Sequence, residues 1–520
     1  AQLCQDLLRL GDDEEGWRLA EEIAAEDQYD VVGYNLVTLR DELSGYRTLR
    51  GDGFIVRMAP READLYGRRV LELLRDARDA LGEKYEVEVA GPVTVEIFPR
   101  QQDFAVRTFG LPGADGFLGV CFGRVITVNS PASQGADPAN WEAVLWHEFC
   151  HTVTLTKTRN KMPRWLSEGI SVYEEGRRDP AWAMPMSPQF REMALGEDLT
   201  PPSRLSSAFL APKSPQHLQF AYFESALVVE FLVERFGLEA LKDLLDDLGD
   251  GVPVNDALAV RTGVPLDQFD ADFIAFARRK AEAVAPDATW EQPDLPPAAD
   301  AAALERWLAD HPRSFRGWQR LGAALVAEKR WREAEAALSK ARDLYPEYVG
   351  PENPYALLAT VYRNLADTAA ERAALEELAT RDADATAAYL RLAELDEAAG
   401  DWAGVAENAR RVLAVNPLIP APHRALARAA ERLGEPDEAI AAYRAVSLLD
   451  DTDPAAIHFR VATLLRQGGK SDEALREVLR SLEEAPRFVE AHRLLLELVE
   501  TDGAAPGLRP PLTPVEAAKP

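Results

Sequence analysis

The spacing of hydrophobic and polar residues changes along the chain and predicts two different segments at its start. Residues 1–50 are expected to be helical, because apolar side chains recur there among acids and arginines. Residues 51–285 carry mixed signals, since β-branched residues alternate or cluster at 93–98 and 124–129 as they do in strands. A domain that combines strands and helices is therefore expected after the N-terminal helical segment.

Three later stretches of this domain show the spacing of apolar residues that is typical of helices. They cover residues 141–157, 163–175 and 220–236, and turn-forming residues separate them. Residues 286–300 are rich in proline and acidic residues, and we interpret them as a linker that follows the domain.

Residues 301–500 are helical in pattern and repetitive. Glycines recur 34 residues apart between helical segments, at Gly400, Gly434 and Gly468. From Trp318 to Pro346, the order of Trp, Leu-Gly, Ala, large apolar, Ala and Pro resembles the tetratricopeptide repeat. This resemblance implies an all-α solenoid built from helix pairs.

We expect roughly five such repeats, enough to bury a continuous stacked core. The unit at 349–385 departs from the pattern and carries a short insertion. The repeats are expected to bind a protein partner, to recruit a substrate, or to pack on the preceding domain. The proline-rich residues 501–520 are expected to be disordered.

The acidic composition argues against several partners. The formal net charge is −29, whereas nucleic-acid binding and anionic membrane surfaces both require clustered lysine and arginine. No stretch approaches the roughly 18–20 apolar residues that span a bilayer, so no transmembrane segment is expected.

The start of the chain has neither the basic residues nor the apolar core of a secretory signal. Because the first residue is Ala1 rather than Met, we interpret the chain as a processed form or a fragment. The three cysteines form no disulfide framework and leave the compartment open. Our hypothesis is a bacterial protein from outside the cytoplasm.

The pentapeptide HEFCH has the clearest chemical content in the sequence. His147 and His151 are four residues apart, so on a helix both imidazoles can face one ion. A catalytic zinc site uses three protein ligands and an open position for water. Glu148 is placed to take a proton from that water as general base. Two incidental histidines beside a solvated glutamate are the alternative explanation.

A second segment supplies the missing ligand. Eleven residues after His151 comes MPRWLSEGISVY, in which Pro163 is suited to begin a helix. Glu168 then lies on the first turns of that helix and is available as the third ligand. A surface acid on an amphipathic helix would explain Glu168 alone, but not its position directly after an HExxH helix. We therefore predict one Zn²⁺ per chain, held by His147, His151 and Glu168.

The two segments together resemble a known group of enzymes. PRWLSEG is similar to the WLNEG segment of aminopeptidase N-like gluzincins, and HEFCH with PRWLSEG resembles the Peptidase MA-like metallohydrolases, which often occur beside tetratricopeptide repeats. The resemblance covers roughly residues 51–285. It implies an α+β, thermolysin-like zincin domain with the catalytic cleft between a sheet edge and the zinc helix.

The resemblance also implies a tyrosine or histidine that stabilises the oxyanion some tens of residues beyond the glutamate. Tyr222 stands 54 residues after Glu168, in the helical stretch 220–236, and is the candidate. His217 and Tyr173 are competitors for this role, and simple aromatic packing is the alternative for Tyr222.

Two features depart from the family pattern. Aminopeptidases of this clan carry an acidic segment upstream of the zinc helix, whereas residues 116–123 here contain no glutamate. Aminopeptidase specificity is therefore not expected, although these residues and 124–129 can form an edge strand that pairs with an extended peptide. Cys150 lies inside the motif, and we interpret it as a small buried apolar residue.

The leading hypothesis is a zinc metallopeptidase that cleaves peptide bonds, with an endopeptidase favoured over an exopeptidase. One alternative is a repeat scaffold whose zincin domain is inactive, although an inactive site has no chemical reason to keep Glu148. The other alternative is a zinc hydrolase that acts on esters or other non-peptide bonds. No feature of the sequence separates these substrates.

Overall fold

The computed structural model describes most of the chain. The described ranges are residues 1–113, 116–296 and 300–501. The tail predicted to be disordered lies outside them except for its first residue, and so does part of the predicted linker, residues 297–299.

The chain divides into two compact units. The first comprises residues 1–399 and 410–418, and the second comprises residues 400–409 and those from 419 onward. The HEFCH and PRWLSEG segments both belong to the first unit.

The first unit contains a five-stranded mixed sheet. Its strands are β1 (Arg47–Gly51), β2 (Phe54–Met58), β3 (Val93–Phe98), β4 (Gly119–Cys121) and β5 (Val125–Asn129). They lie in the order β1-β2-β3-β5-β4, with the three central strands parallel and both edge strands antiparallel. The two strands predicted from the sequence, β3 and β5, are central and largely apolar because both faces of the sheet are covered.

The described part of the first 296 residues also contains thirteen α-helices. They are α1 (Gln2–Leu10), α2 (Asp13–Glu26), α3 (Val31–Ser44), α4 (Pro60–Tyr85), α5 (Gln101–Phe109), α6 (Trp141–Lys157), α7 (Arg164–Arg178), α8 (Pro188–Leu195), α9 (Ser206–Leu210), α10 (Pro215–Phe236), α11 (Leu238–Gly249), α12 (Val254–Thr262) and α13 (Leu266–Val284).

The two faces of the sheet have separate cores. On one face, helices α1, α2 and α3 pack with α5 in one core. Helix α5 contacts the sheet there, since the hydroxyl of Thr108 in α5 is hydrogen-bonded to that of Thr127 in β5. On the other face, Ile126 and Val128 of β5 join a large core with α4, α6, α7 and α10. The predicted N-terminal helical segment is thus packed against the sheet domain in this structure, and its last residues form β1.

The rest of the described chain is helical. Its helices are α14 (Ala301–Asp310), α15 (Phe315–Ala327), α16 (Trp331–Leu344), α17 (Pro354–Asn364), α18 (Thr368–Ala379), α19 (Thr386–Ala399), α20 (Trp402–Val415), α21 (Pro420–Leu433), α22 (Pro436–Leu449), α23 (Pro454–Gln467), α24 (Ser471–Glu484) and α25 (Val489–Thr501). Helices α19, α21 and α23 begin 34 residues apart, which is the predicted repeat period. In the first unit α15 packs on α16 and α17 on α18, and in the second unit α21 packs on α22 and α23 on α24.

The described part of the predicted linker packs against helices α15 and α16. Arg320 donates hydrogen bonds to the backbone carbonyls of Pro293 and Pro296, at 3.0 and 2.7 Å. Trp290 packs its ring against Phe315 and Tyr345.

Helix pairs of the first unit also contact the sheet domain directly. The backbone N–H of Ala383 donates to the carbonyl of Ala181 at 3.2 Å, and the Tyr345 hydroxyl donates to the carbonyl of Met186. These repeats are therefore part of the same compact unit as the sheet. Among the described helices, none is long and apolar enough to cross a membrane.

Candidate metal centre

Helix α6 carries both histidines of the HEFCH motif. It begins where Asn140 caps it, with the Asn140 side chain accepting a hydrogen bond from the Ala143 N–H at 3.0 Å. His147 and His151 are one turn apart, and their Nε2 atoms lie 3.1 Å from each other. Both imidazoles therefore face one point, as the sequence spacing predicts.

Helix α7 brings Glu168 to the same point. Oε2 of Glu168 lies 3.3 Å from Nε2 of His147 and 3.3 Å from Nε2 of His151. The next residue, Gly169, allows α7 to approach α10 closely, because a Cβ there would lie only 2.6 Å from the carbonyl oxygen of Ser225. Burial raises the pKa of Glu168, but the hydrogen bonds with the two imidazoles outweigh burial and hold this pKa well below its usual value.

The other ring nitrogen of each histidine is also engaged. Nδ1 of His147 contacts the carboxylate of Glu175, and Nδ1 of His151 lies 2.8 Å from Oγ of Ser167. Such partners fix the orientation of a metal-ligating imidazole and leave Nε2 free for the ion. The sequence reasoning missed both partners, although Glu175 follows Glu168 by seven residues and so lies on the same face of α7.

Glu148 lies beside this cluster in a buried position. Its side chain is enclosed, and Oε2 has no hydrogen-bond partner among the described residues. Burial raises its pKa, against the attraction of His147 and His151. The edge strand β4 passes close by, since a Cβ at Gly119 would lie 2.7 Å from Cγ of Glu148.

The donor set fits a zinc ion. One ligand atom each from His147, His151 and Glu168 lies within 4.8 Å of the others, and two imidazoles with one carboxylate are ligands that zinc accepts. The unpartnered oxygen of Glu148 fits a neighbouring water, because a buried carboxylate oxygen without a partner is costly. A metal-activated hydrolysis is the chemistry that this arrangement can perform.

Of the three candidates for oxyanion stabilisation, the structure brings Tyr222 to the cluster. Its hydroxyl lies 3.4 Å from Oε1 of Glu168, and burial raises its pKa to about 12. His217 instead contacts Ser214 and Asp198, and the ring of Tyr173 lies under the Lys84 ammonium. Tyr222 stands two turns inside α10, because this helix begins at Pro215 rather than at residue 220.

Arg164 is a further residue of the site that the sequence reasoning missed. Its Nε donates to Oε1 of Glu168 at 3.1 Å, and its Nη2 donates to the Tyr222 hydroxyl at 2.8 Å. Arg164 thus joins the third predicted ligand to the predicted oxyanion donor. It is the first residue of α7, four positions before Glu168, and this helical spacing is the signal that could have revealed it.

The start of helix α6 is supported by the repeats of the first unit. Oδ1 of Asp384 accepts a hydrogen bond from the backbone N–H of Asn140 at 2.7 Å, and the Trp141 indole N–H donates to the Leu413 carbonyl at 2.9 Å. An N-terminal N–H of a helix has no partner within the helix, so Asp384 provides one. Cys150, within the motif, is fully buried in the core as expected.

Comparison with known families gives a match within the sheet domain. Residues 80–278 match the family model of the Peptidase MA superfamily. This match confirms the superfamily that the HEFCH and PRWLSEG segments resemble, for that part of the chain. No curated protein matches the chain.

Solved structures with similarity to this chain include repeat proteins. YrrB, a TPR protein with an unusual peptide-binding site, is 14% identical, and the match covers 37% of this chain and 97% of YrrB with a TM-score of 0.29. A thermophilic TPR protein of Thermus thermophilus is 23% identical over 36% of this chain and its own full length, with a TM-score of 0.18. The Cut9–Hcn1 hetero-tetramer of APC/C is 12% identical over 96% of this chain and 89% of its matched chain, with a TM-score of 0.24. TM-scores this low carry no weight for fold or function.

Proposed function

Because residues 80–278 match the Peptidase MA superfamily, we propose that this protein is a zinc metallopeptidase. His147, His151 and Glu168 hold one zinc ion, and Glu148 is the general base. The observation that carries the proposal is the convergence of three ligand atoms within 4.8 Å beside a buried carboxylate oxygen that has no partner among the described residues. We further propose that the domain, residues 51–285, has the thermolysin-like zincin fold.

Each residue then has a defined task in peptide hydrolysis. A zinc ion supplies a Lewis acid that polarises a carbonyl and acidifies water. Glu148 accepts the proton of the attacking water and returns it to the leaving amine, a role that its raised pKa supports. Tyr222 donates its hydroxyl hydrogen to the oxygen of the scissile carbonyl as negative charge develops there.

The proposed substrate is an extended peptide or protein segment. Strand β4 is an edge strand and passes Glu148 at Gly119, so a peptide that pairs with β4 would run past the general base. Residues 116–123 carry no acid to bind a free amino terminus, and this supports an endopeptidase. The helical repeats within residues 419–500, which belong to the second compact unit, are the proposed surface for a protein partner. The bacterial, extracytoplasmic origin stays a prediction.

Zinc analysis combined with peptide digestion tests this function. Protein purified without added metal should contain about one zinc per chain. It should cleave members of a mixed peptide library, with products read by mass spectrometry. Glu148→Gln should keep its zinc and lose about 10²–10⁴ in turnover, the range for a general base.

Glu142→Gln is the matched control, because Glu142 is similarly buried on the same helix and pairs with Arg69 away from the cluster. Retained turnover in Glu148→Gln would remove the general-base assignment. Bound zinc without cleavage of peptides or esters would favour the inactive scaffold, and absence of zinc binding would refute the metal site.

A further inference from the structure

The guanidinium of Arg164 has an unusual position in the site. Two of its nitrogens are directed at the reaction centre, with Nε bonded to Glu168 and Nη2 bonded to the Tyr222 hydroxyl. No hydrogen bond or ion pair engages Nη1 among the described residues. The side chain is 46% exposed, so a molecule from solution can reach the guanidinium.

Two aromatic rings restrain the guanidinium in this orientation. Its carbon lies 5.3 Å from the ring centroid of Phe209 and 5.8 Å from that of Tyr222. The two rings pack edge to face at 5.2 Å, and Phe209 is buried. A planar cation fixed in this way loses little freedom when it binds a second group, and its geometry matches carboxylates and phosphates, of which a peptide substrate supplies carboxylates.

The charge of Arg164 is only partly neutralised by its neighbours. Glu168 is its ion-pair partner, but the other oxygen of this carboxylate faces the imidazoles of His147 and His151. A cation bound by the same three side chains would draw further on the Glu168 charge. The guanidinium therefore retains positive charge beside the cluster in a protein whose net charge is −29.

We propose that Arg164 determines specificity by binding a carboxylate of the substrate close to the scissile bond. This inference rests on the proposed peptidase function and adds the class of substrate to it. The carboxylate belongs either to an acidic side chain of the peptide or to its free C-terminus. Both present the same chemistry to Nη1, so the experiment separates them.

Paired alanine-based peptides test the inference through binding. In the first pair both peptides have an amidated C-terminus, and one has an interior Glu where the other has Gln. In the second pair neither peptide has an acidic side chain, and one has a free C-terminal carboxylate where the other has an amide. Each peptide carries an N-terminal fluorophore, and its affinity for zinc-loaded Glu148→Gln protein is measured by fluorescence anisotropy. The same pairs are then digested with protein that retains Glu148.

We expect tighter binding of one acidic member by about tenfold to a hundredfold, as charged hydrogen bonds contribute in proteins. Adding Arg164→Gln should reduce this ratio to near one, and adding Arg164→Lys should keep part of it. Preference for Glu over Gln assigns the site to a side chain, and preference for free acid over amide assigns it to the C-terminus. Zinc content measured on every variant separates loss of the carboxylate site from loss of the metal.

Arg235→Gln is the matched control. Arg235 is also half exposed, pairs with a carboxylate and lies over two phenyl rings, but it is 13 residues beyond Tyr222 on α10, about 20 Å along the axis. Equal binding of both members of both pairs, or a preference that survives Arg164→Gln, would overturn the inference. A preference in binding without any hydrolysis would refute the peptidase and retain the carboxylate site.

Discussion

Tyr222 combines a packing contact with a hydroxyl beside the candidate ligand Glu168. Its ring packs against Phe209, while its oxygen accepts a hydrogen bond from Arg164 and its hydroxyl donates to Oε1 of Glu168 at 3.4 Å. Tyr222→Phe preserves the ring and removes the donor. We therefore expect kcat to fall by about 10²–10³, the range for loss of one oxyanion donor, with zinc content unchanged.

Tyr173→Phe serves as the control for this change, because Tyr173 is also partly buried but its ring faces Lys84 rather than Glu168. Steady-state kinetics on one cleaved peptide gives the comparison. If Tyr222→Phe and Tyr173→Phe have equal kcat values, Tyr222 serves only in packing.

Glu224 is a buried carboxyl that links stability to pH. It is almost fully enclosed in α10, and burial raises its pKa to about 8, above the usual 4.5. Between pH 4.5 and pH 8, the Glu224 carboxyl keeps its proton in the folded state but has released it in the unfolded state. The stability that this group contributes is therefore complete below pH 4.5 and declines as pH rises toward 8, by about 1.4 kcal/mol per pH unit.

Glu224→Gln removes this titration and keeps an oxygen that can accept the hydrogen bond from the Thr200 N–H. We expect the variant to gain unfolding free energy relative to the wild-type protein as pH rises from 5 to 8. Urea denaturation across this range measures the difference. The exposed Glu234→Gln on the same helix is the control, and a difference that does not vary with pH would contradict the assignment.

The sequence was sufficient to predict which candidate ligand residues come together, but not the neighbouring groups that orient their side chains. His147, His151 and Glu168 are recognisable because helical spacing places side chains on one face. Helical spacing also places Arg164 and Glu175 on the face of Glu168, but the groups that they contact on other helices depend on side-chain direction, which spacing alone does not determine.

At the level of elements, the long helices were predicted from the spacing of their apolar residues, whereas the shortest strand was not. The predicted helical stretches 141–157 and 163–175 correspond to α6 and α7, and the repeat period matches the helix pairs. Strand β4 has only three residues, too few to show alternation. Helix α10 begins five residues before the predicted stretch 220–236, because Ser214 caps it and Pro215 occupies its first turn.

The support of α6 by the repeats is a contact between elements that can be tested. Oδ1 of Asp384 accepts a hydrogen bond from the backbone N–H of Asn140, the residue that caps the start of α6. Asp384→Ala leaves this buried donor unsatisfied, and we expect a loss of about 1–3 kcal/mol in unfolding free energy. Asp384→Asn is the matched variant, since it keeps an acceptor oxygen at the same position.

Thermal and urea unfolding of the two variants give the comparison. Asp384→Asn should lie close to the wild-type protein, and Asp384→Ala well below it. Equal destabilisation by both changes would mean that the charge of Asp384, rather than its hydrogen bond, supports α6.

At the scale of the whole molecule, the two compact units should respond differently to metal. A ligand stabilises only the unit that binds it, and the three proposed ligands all lie in the first unit. We therefore expect two unfolding transitions in calorimetry. A chelator should lower the midpoint temperature of one of them, and added zinc should restore that temperature. Glu168→Ala should abolish this shift, and a metal-dependent shift of both transitions would contradict independent units.

The close passage of β4 over Glu148 makes position 119 informative in other sequences. Any side chain there would occupy the space of the Glu148 carboxylate, at 2.7 Å from its Cγ and Oε1. A related protein with an intact HExxH motif but a bulky residue at this position must displace the glutamate of that motif or move its edge strand. Glycine at 119 is therefore a marker, separate from the motif itself, for sequences in which this glutamate can keep the position that it has here.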